Sequence, residues 1–298
     1  MLIGFGGPTR PEHVQAFLDS VLPGVNITKE RYEEVLRHYE HVGNVSPYNS
    51  LTFKQRDTLE AWLRFQGSDL QVGVSFRHSF PSFKDAFQAL KKSGVTRIIG
   101  FVLSSFRSYP SFEKYVEKVA AAQAEADAKD VQVIYTEPFY THPFFIDAVC
   151  ARIEGASNLF AKDWSNTFVI FSAHSIPTHL SDASGYAAQF EKASSLVAQK
   201  LGLKHWSTAY QSRTGDPKEP WLGPDVKSVV RRMTMNLTPN LLMVPIGFLC
   251  DNVEILYDLD VEVKDFCAAE GLNYFRAPAL NDHPKFIEMM GRQVLEKL

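Results

Sequence analysis

What most limits the fold of this chain is the order of its apolar runs. Short, β-branched runs alternate with longer amphipathic ones along the whole sequence. The strand candidates are LIGF (2–5), LQVGVSF (70–76), TRIIGFVLS (96–104), VQVIYT (131–136), NTFVIFSAH (166–174), HWSTAYQS (205–212), NLLMVPIGF (240–248) and LNYFRA (272–277). Helical periodicity falls near 11–22, 29–41, 50–66, 82–93, 112–128, 143–158, 183–201, 225–236, 251–269 and 284–297. Strands that are apolar on both faces need cover on both sides, which a parallel sheet flanked by helices provides. The alternating βα order with right-handed crossovers therefore predicts a doubly wound α/β fold. The eight strands split four and four around the helix at 143–158 and the polar segment 159–165. This predicts an N-terminal domain over 1–145 and a C-terminal one over 146–298, with the last helix placed to pack back on the first.

With 298 residues, 45% of them apolar, the chain has ample material for a core. A net charge of −3 gives no footprint for nucleic acid or an anionic membrane. Cys150, Cys250 and Cys267 are widely spaced and odd in number, with no CxxC pair. A disulfide framework or an iron–sulfur cluster is therefore not expected, and a reducing, cytoplasmic setting is. MLIGFGGP reads as a strand running into a turn rather than a signal peptide, and no run approaches the roughly 20 apolar residues of a membrane span.

In doubly wound folds ligands bind outside the carboxyl ends of the strands, so those ends are the places to inspect. The fifth strand stops at His174. At a cleft floor its imidazole would be a base or a metal ligand, and elsewhere it is a satisfied core histidine. The seventh strand leads into GFLCDNVEILYDLDVEV, where Glu254, Asp258 and Glu262 recur every four residues and line up along a helix. Like charges so placed repel by roughly 0.2–0.5 kcal/mol per pair. Lys264 is the only base in that window, so the acids suit arriving cations, although a solvated face has the same pattern. Asp251 reads as the cap of this helix. Ser212 ends the sixth strand and opens a loop too rich in Gly, Pro and Trp221 for a bare connector. The aromatic run FRSYPSFEKY, at 106–115, fits either a core or the wall of a cleft for a flat apolar ligand.

These stretches together resemble the ferrochelatases, which insert Fe(II) into a porphyrin in haem biosynthesis. The similarity runs in order along nearly the whole chain: GFGGP (4–8), HYEHVGNVSPYN (38–49), LSSFRSY (103–109), FSAHSIP (171–177), YQSRTGDPKEPWLGPD (210–225), GFLCDNVEILYDLD (247–260) and RAPALNDHP (276–284). The resemblance implies two Rossmann-like domains around a porphyrin cleft, with His174 and Glu254 as the catalytic, metal-handling pair on opposite sides of the macrocycle. Asp258 and Glu262 would form an outer path for the cation, with Ser212 and His38 beside it. Phe5, Tyr39, Ser46, Phe106, Tyr109 and Tyr115 are the expected porphyrin contacts. The partners implied are porphyrin and ferrous iron as substrates of a monomer, with no tightly bound cofactor. No transmembrane segment is implied, and a peripheral membrane contact stays open.

Four positions depart from the family pattern, and the strand end GVSFRHSF (73–80) differs from the run usual there. Asn252 stands where a histidine is common, Asn44 where a glycine is usual, and Phe5 where coproporphyrin-using members often carry a tyrosine able to ligate iron. Leu22 also lies where those members often have an arginine. Phe5 and Leu22 count against coproporphyrin as the substrate, and Asn252, Asn44 and Phe5 define the alternative expectation, a porphyrin- or haem-binding homologue impaired in catalysis.

Overall fold

A computed structural model describes residues 1–22, 28–214, 218–234 and 239–298. Residues 215–217 of the long loop and 235–236 of the helical pattern at 225–236 lie outside that description. The first half contributes β1 (Leu2–Gly4), α1 (Val14–Val21), α2 (Lys29–His41), α3 (Tyr48–Phe65), β2 (Val74–Phe76), α4 (Phe83–Lys92), β3 (Arg97–Val102), α5 (Lys114–Glu125) and β4 (Gln132–Tyr135). The chain continues through α6 (Pro143–Ser157), β5 (Thr167–His174), α7 (Thr178–Ser184), α8 (Tyr186–Leu201), β6 (Trp206–Gln211), α9 (Val226–Thr234), β7 (Asn240–Val244), α10 (Lys264–Ala269), β8 (Asn273–Arg276) and α11 (Pro284–Leu295).

All eight expected strands form, each shorter than its apolar run. They make two four-stranded parallel sheets, ordered β2-β1-β3-β4 and β6-β5-β7-β8. In each sheet the strand order reverses at the first strand of its half, β1 or β5. The crevice that binds ligands in such sheets opens at that reversal, beyond the carboxyl ends. Topology alone therefore directs attention to the turn after Gly4 and to His174.

Local chemistry accounts for several element ends. Ser82 and Asp85 form a reciprocal capping box at the start of α4. Proline opens α6 and α11, where its missing N–H costs nothing. The helix expected over 183–201 starts at Tyr186 as α8; residues 183 and 184 instead end a separate short helix, α7, which Gly185 at φ +70° terminates. The helix expected over 251–269 also differs: after Val253 and Glu254 the stretch Ile255–Val263 winds as a π-helix, and Lys264–Ala269 is α-helical.

The largest core joins the two sheets through aromatic side chains. Phe139 stacks on Phe101 and meets Phe145 and Phe286 edge-on or tilted, at centroid distances of 5.4, 5.4 and 6.2 Å. The final helix, α11, packs on α3 and α6. Its Gly291 lies so close to Trp62 that a Cβ there would come within 2.2 Å of the indole.

Candidate active site at the carboxyl end of β5

Buried Ile170, Phe171 and Ala173 anchor β5 in the core, and His174 is its last residue. Several contacts fix the imidazole at the strand end. Tyr186 Oη donates to the His174 carbonyl at 3.0 Å, and Gly247 N donates to the Ser172 carbonyl at 3.0 Å. Gly247 packs so tightly that a Cβ there would lie 2.7 Å from Ala173 Cα. Leu222, in the described end of the long loop, is tied to the segment just past His174: its N–H donates to the Ile176 carbonyl, and Ser175 Oγ donates to the Leu222 carbonyl.

His174 Nδ1 faces the Ser175 carbonyl, while Nε2 lies 3.6 Å from Glu254 Oε1. Both ring nitrogens therefore meet acceptors, an arrangement that suits the doubly protonated imidazolium. Burial opposes that charge, but Glu254, the Ser175 carbonyl and Asp258 outweigh it and raise the pKa from 6.5 to about 8. The two residues expected on opposite sides of a macrocycle thus touch each other here.

The acidic segment is built differently from the α-helix its spacing suggested. A π-helix closes its hydrogen bonds between residues five apart and has more residues per turn, so side chains four apart align more closely. Asp258 feels both neighbours. Burial, then the charges of Glu254 and Glu262, raise its pKa to about 7, against the lowering effect of the Ser212 hydroxyl bonded to Asp258 Oδ2. Ser212 holds φ 59°, a left-handed conformation that costs a non-glycine residue free energy.

Compensation that was not visible near Lys264 comes from elsewhere in the chain. Lys227 Nζ pairs with Glu262 at 3.2 Å, and Arg276 pairs with Asp260 and Asp251. Asp251 is not the cap expected of it. Asn252 caps the helix, its Oδ1 accepting from Ile255 N at 3.0 Å. Among the described residues, no three His, Cys, Asp or Glu side chains converge to hold a metal ion. The six residues expected to handle metal are instead distributed over separate contacts: His174 with Glu254, Ser212 with Asp258, Glu262 with Lys227, and His38 stacked on Tyr257 at 3.7 Å.

From the first half, Phe5 lies just past β1, with its ring 4.7 Å from His78 and 6.1 Å from Phe17. Tyr39 and Tyr115 are buried. Burial, reinforced in each by the charge of Glu254, raises both phenol pKa values well above the usual range. Arg77 stands over the Tyr115 ring at 5.5 Å. Ser46 is buried against Gly7 and donates its backbone N–H to the Pro8 carbonyl.

Phe106 is 1% exposed and packs on Tyr186 and Phe190 in the core. Tyr109 is exposed, and its hydroxyl donates to Glu117 at 3.0 Å. Sequence reasoning missed Tyr186, Lys227, Tyr257, His78 and Arg276. His78, Tyr257 and Arg276 lay inside segments already singled out.

Solved structures of similar shape place the fold. Sirohydrochlorin chelatase SirB of Bacillus subtilis subspecies spizizenii, in complex with cobalt, superposes with TM-score 0.59 at 14% identity, covering 99% of this chain and 92% of that one. CbiX, the terminal enzyme for biosynthesis of siroheme in denitrifying bacteria, gives 0.58 at 11% identity, covering 100% and 98%. The architecture is therefore that of the chelatases.

Sequence comparison is more specific. The ferrochelatase family model matches residues 1–298. Ferrochelatase of Rhodopirellula baltica is 35% identical over all of this chain and 85% of its own length. The coproporphyrin III ferrochelatases of Mycolicibacterium smegmatis and Mycobacterium tuberculosis are 31% and 34% identical, over 97% and 100% of this chain and 86% and 85% of theirs. The chain belongs to the ferrochelatase family, lyase-type enzymes that carry out porphyrin metal chelation in haem biosynthesis.

Proposed function

We propose that this chain inserts Fe(II) into a porphyrin with release of two protons, using His174 as the base and Glu254 as the carboxylate that receives the ferrous ion. The observation that carries this reading is the 3.6 Å contact between His174 Nε2 and Glu254 Oε1, at the strand end where the sheet order reverses. A macrocycle needs about 3.5 Å of van der Waals clearance on each face. The pair must therefore part by several ångströms to admit one between them.

Parting removes the carboxylate that keeps the imidazole charged. His174 then gives its proton to solvent and, as a neutral base facing the ring, takes one pyrrole proton, while the Asp258 carboxylate, near pKa 7, takes the other; both pass on to solvent. Each pyrrole N–H that loses its proton leaves a nitrogen lone pair for the iron, and two such losses balance the dication. Glu262 pairs with Lys227 through half-exposed side chains, a contact weak enough for an incoming cation to displace.

The names of the mycobacterial relatives support coproporphyrin III as the substrate, with protoporphyrin IX as the competing choice. Phe5 would meet the macrocycle as an apolar surface and not as a ligand. Asn252, one motive for the impaired-homologue reading, has a structural task as a helix cap. The reading calls for no resident cofactor, and buried free thiols at Cys150, Cys250 and Cys267 fit a reducing compartment.

The test is anaerobic Fe(II) insertion by the purified protein, following loss of the metal-free porphyrin spectrum with coproporphyrin III and protoporphyrin IX in parallel. Turnover is expected with one of them, and His174→Ala is expected to abolish it while circular dichroism and porphyrin binding persist. Near wild-type turnover by His174→Ala would refute the assignment.

A further inference from the structure

We infer that Arg276 is a positioning residue for metal insertion: its guanidinium clamps the π-helix at two points and so fixes where Glu254 and Asp258 stand. Arg276 is the last residue of β8, and its side chain is 14% exposed. Nε and Nη2 donate to the two oxygens of Asp260 at 2.6 and 2.8 Å, a bidentate fork. Nη1 donates to Asp251 Oδ1 at 2.8 Å and to the Ala277 carbonyl at 3.2 Å. Asp251 is itself tied down, accepting from Asn281 Nδ2 at 2.8 Å and from Ala279 N at 3.3 Å.

One side chain thus joins the residue just before the helix cap to a residue in the middle of the helix. Glu254 and Asp258 lie between those two points in sequence. Neither is touched by Arg276 in any of these bonds. π-Helices are rare and mostly single-turn, so a run over Ile255–Val263 needs outside support to keep its register. Arg276 supplies that support from a strand end anchored in the sheet. It also neutralises two acids that would otherwise add to the repulsion along Glu254, Asp258 and Glu262. A lysine cannot reproduce the arrangement, because an ammonium is a point charge without the planar fork.

The inference rests on the proposed roles of Glu254 and Asp258. It is tested with Arg276→Lys and Arg276→Met, measuring Tm, porphyrin binding by fluorescence, and kcat and KM for Fe(II). Arg276→Met is expected to lower both Tm and kcat. Arg276→Lys is expected to recover most of the Tm and bind porphyrin normally, yet keep kcat down by roughly 10- to 100-fold, the usual cost of losing a supporting contact around a metal site. Asp260→Asn, which weakens one arm of the clamp, should fall in the same direction and add little when combined with Arg276→Lys.

Recovery of kcat together with Tm in Arg276→Lys would reduce Arg276 to a stabilising contact and overturn the inference. So would parallel loss of Tm, porphyrin binding and kcat in both Arg276→Lys and Asp260→Asn. His174→Ala, run alongside, separates the two levels of the argument: its retained activity would sink the reading of the site itself, whatever Arg276 does.

Discussion

Replacing Glu254 by Gln tests the electrostatics at the centre of the site. The change keeps the side chain's size and removes its charge. In the wild type, His174 is lifted from the ordinary 6.5 to about 8 although burial pushes the other way, with Glu254 the leading favourable influence. That lift corresponds to about 2 kcal/mol at 1.36 kcal/mol per decade of acidity. With 34% of the imidazole exposed, solvent screening reduces it to about 1 kcal/mol of usable stability.

Because the native pKa is the raised one, this contribution is fully present below pH 6.5. It is lost as the pH rises through 8. In Glu254→Gln, burial should dominate and bring the His174 midpoint to 6.5 or below. The assay is a nitrogen-15 NMR titration of the histidines in the porphyrin-free protein, paired with urea denaturation at pH 6 and pH 9. The stability gap between wild type and variant should be about 1 kcal/mol at pH 6 and should close at pH 9. A His174 midpoint in the variant equal to or above the wild-type value would refute the reasoning.

Two further changes probe the scaffold. Asn252→Ala should cost about 1 kcal/mol in urea denaturation through loss of the bond to Ile255 N, and Asn252→Asp should restore most of it, since both Asn and Asp cap well. Gly247→Ala should destabilise by about 1–3 kcal/mol, because its Cβ would lie 2.7 Å from the backbone of Ala173. It should also lower kcat, since Ala173 immediately precedes His174. Wild-type stability for this variant would show that the β5 end yields without cost.

The parts of the fold legible in the sequence were those set by local pattern. Runs such as NTFVIFSAH and NLLMVPIGF announced buried parallel strands, and the strand-end rule led from them to His174 and Glu254. The π-helix was hidden because a four-residue repeat of acids also fits an α-helix. What selects the wider winding involves contacts remote in sequence, including Arg276 on β8. The pairing of Glu262 with Lys227, 35 positions away, was hidden for the same reason. The start of α8 was read three residues early and α7 was not read at all, although the Ser-Gly pair at 184–185 signals a break. Aromatic content in FRSYPSFEKY could not separate buried Phe106 from exposed Tyr109, because composition carries no information about which way a side chain turns.

The acids of the segment 251–262 divide by the kind of partner each has. Asp251 and Asp260 face a largely buried guanidinium that never loses its charge. Those two carboxylates are held for good and serve the architecture. Glu254 faces an imidazole, which can give up its proton near neutral pH, and Asp258 faces a hydroxyl, which carries no charge at all. Glu262 has a lysine, but across a half-exposed gap where water competes. Permanent partners thus fall to the structural acids, and releasable ones to the acids proposed to handle iron. A carboxylate locked to arginine would offer a dication nothing, whereas one whose partner can deprotonate or withdraw is available when the cation arrives. That division gives each of the five acids a reason for its position, and it makes the charge of His174 the variable that opens or closes the inner end of the line.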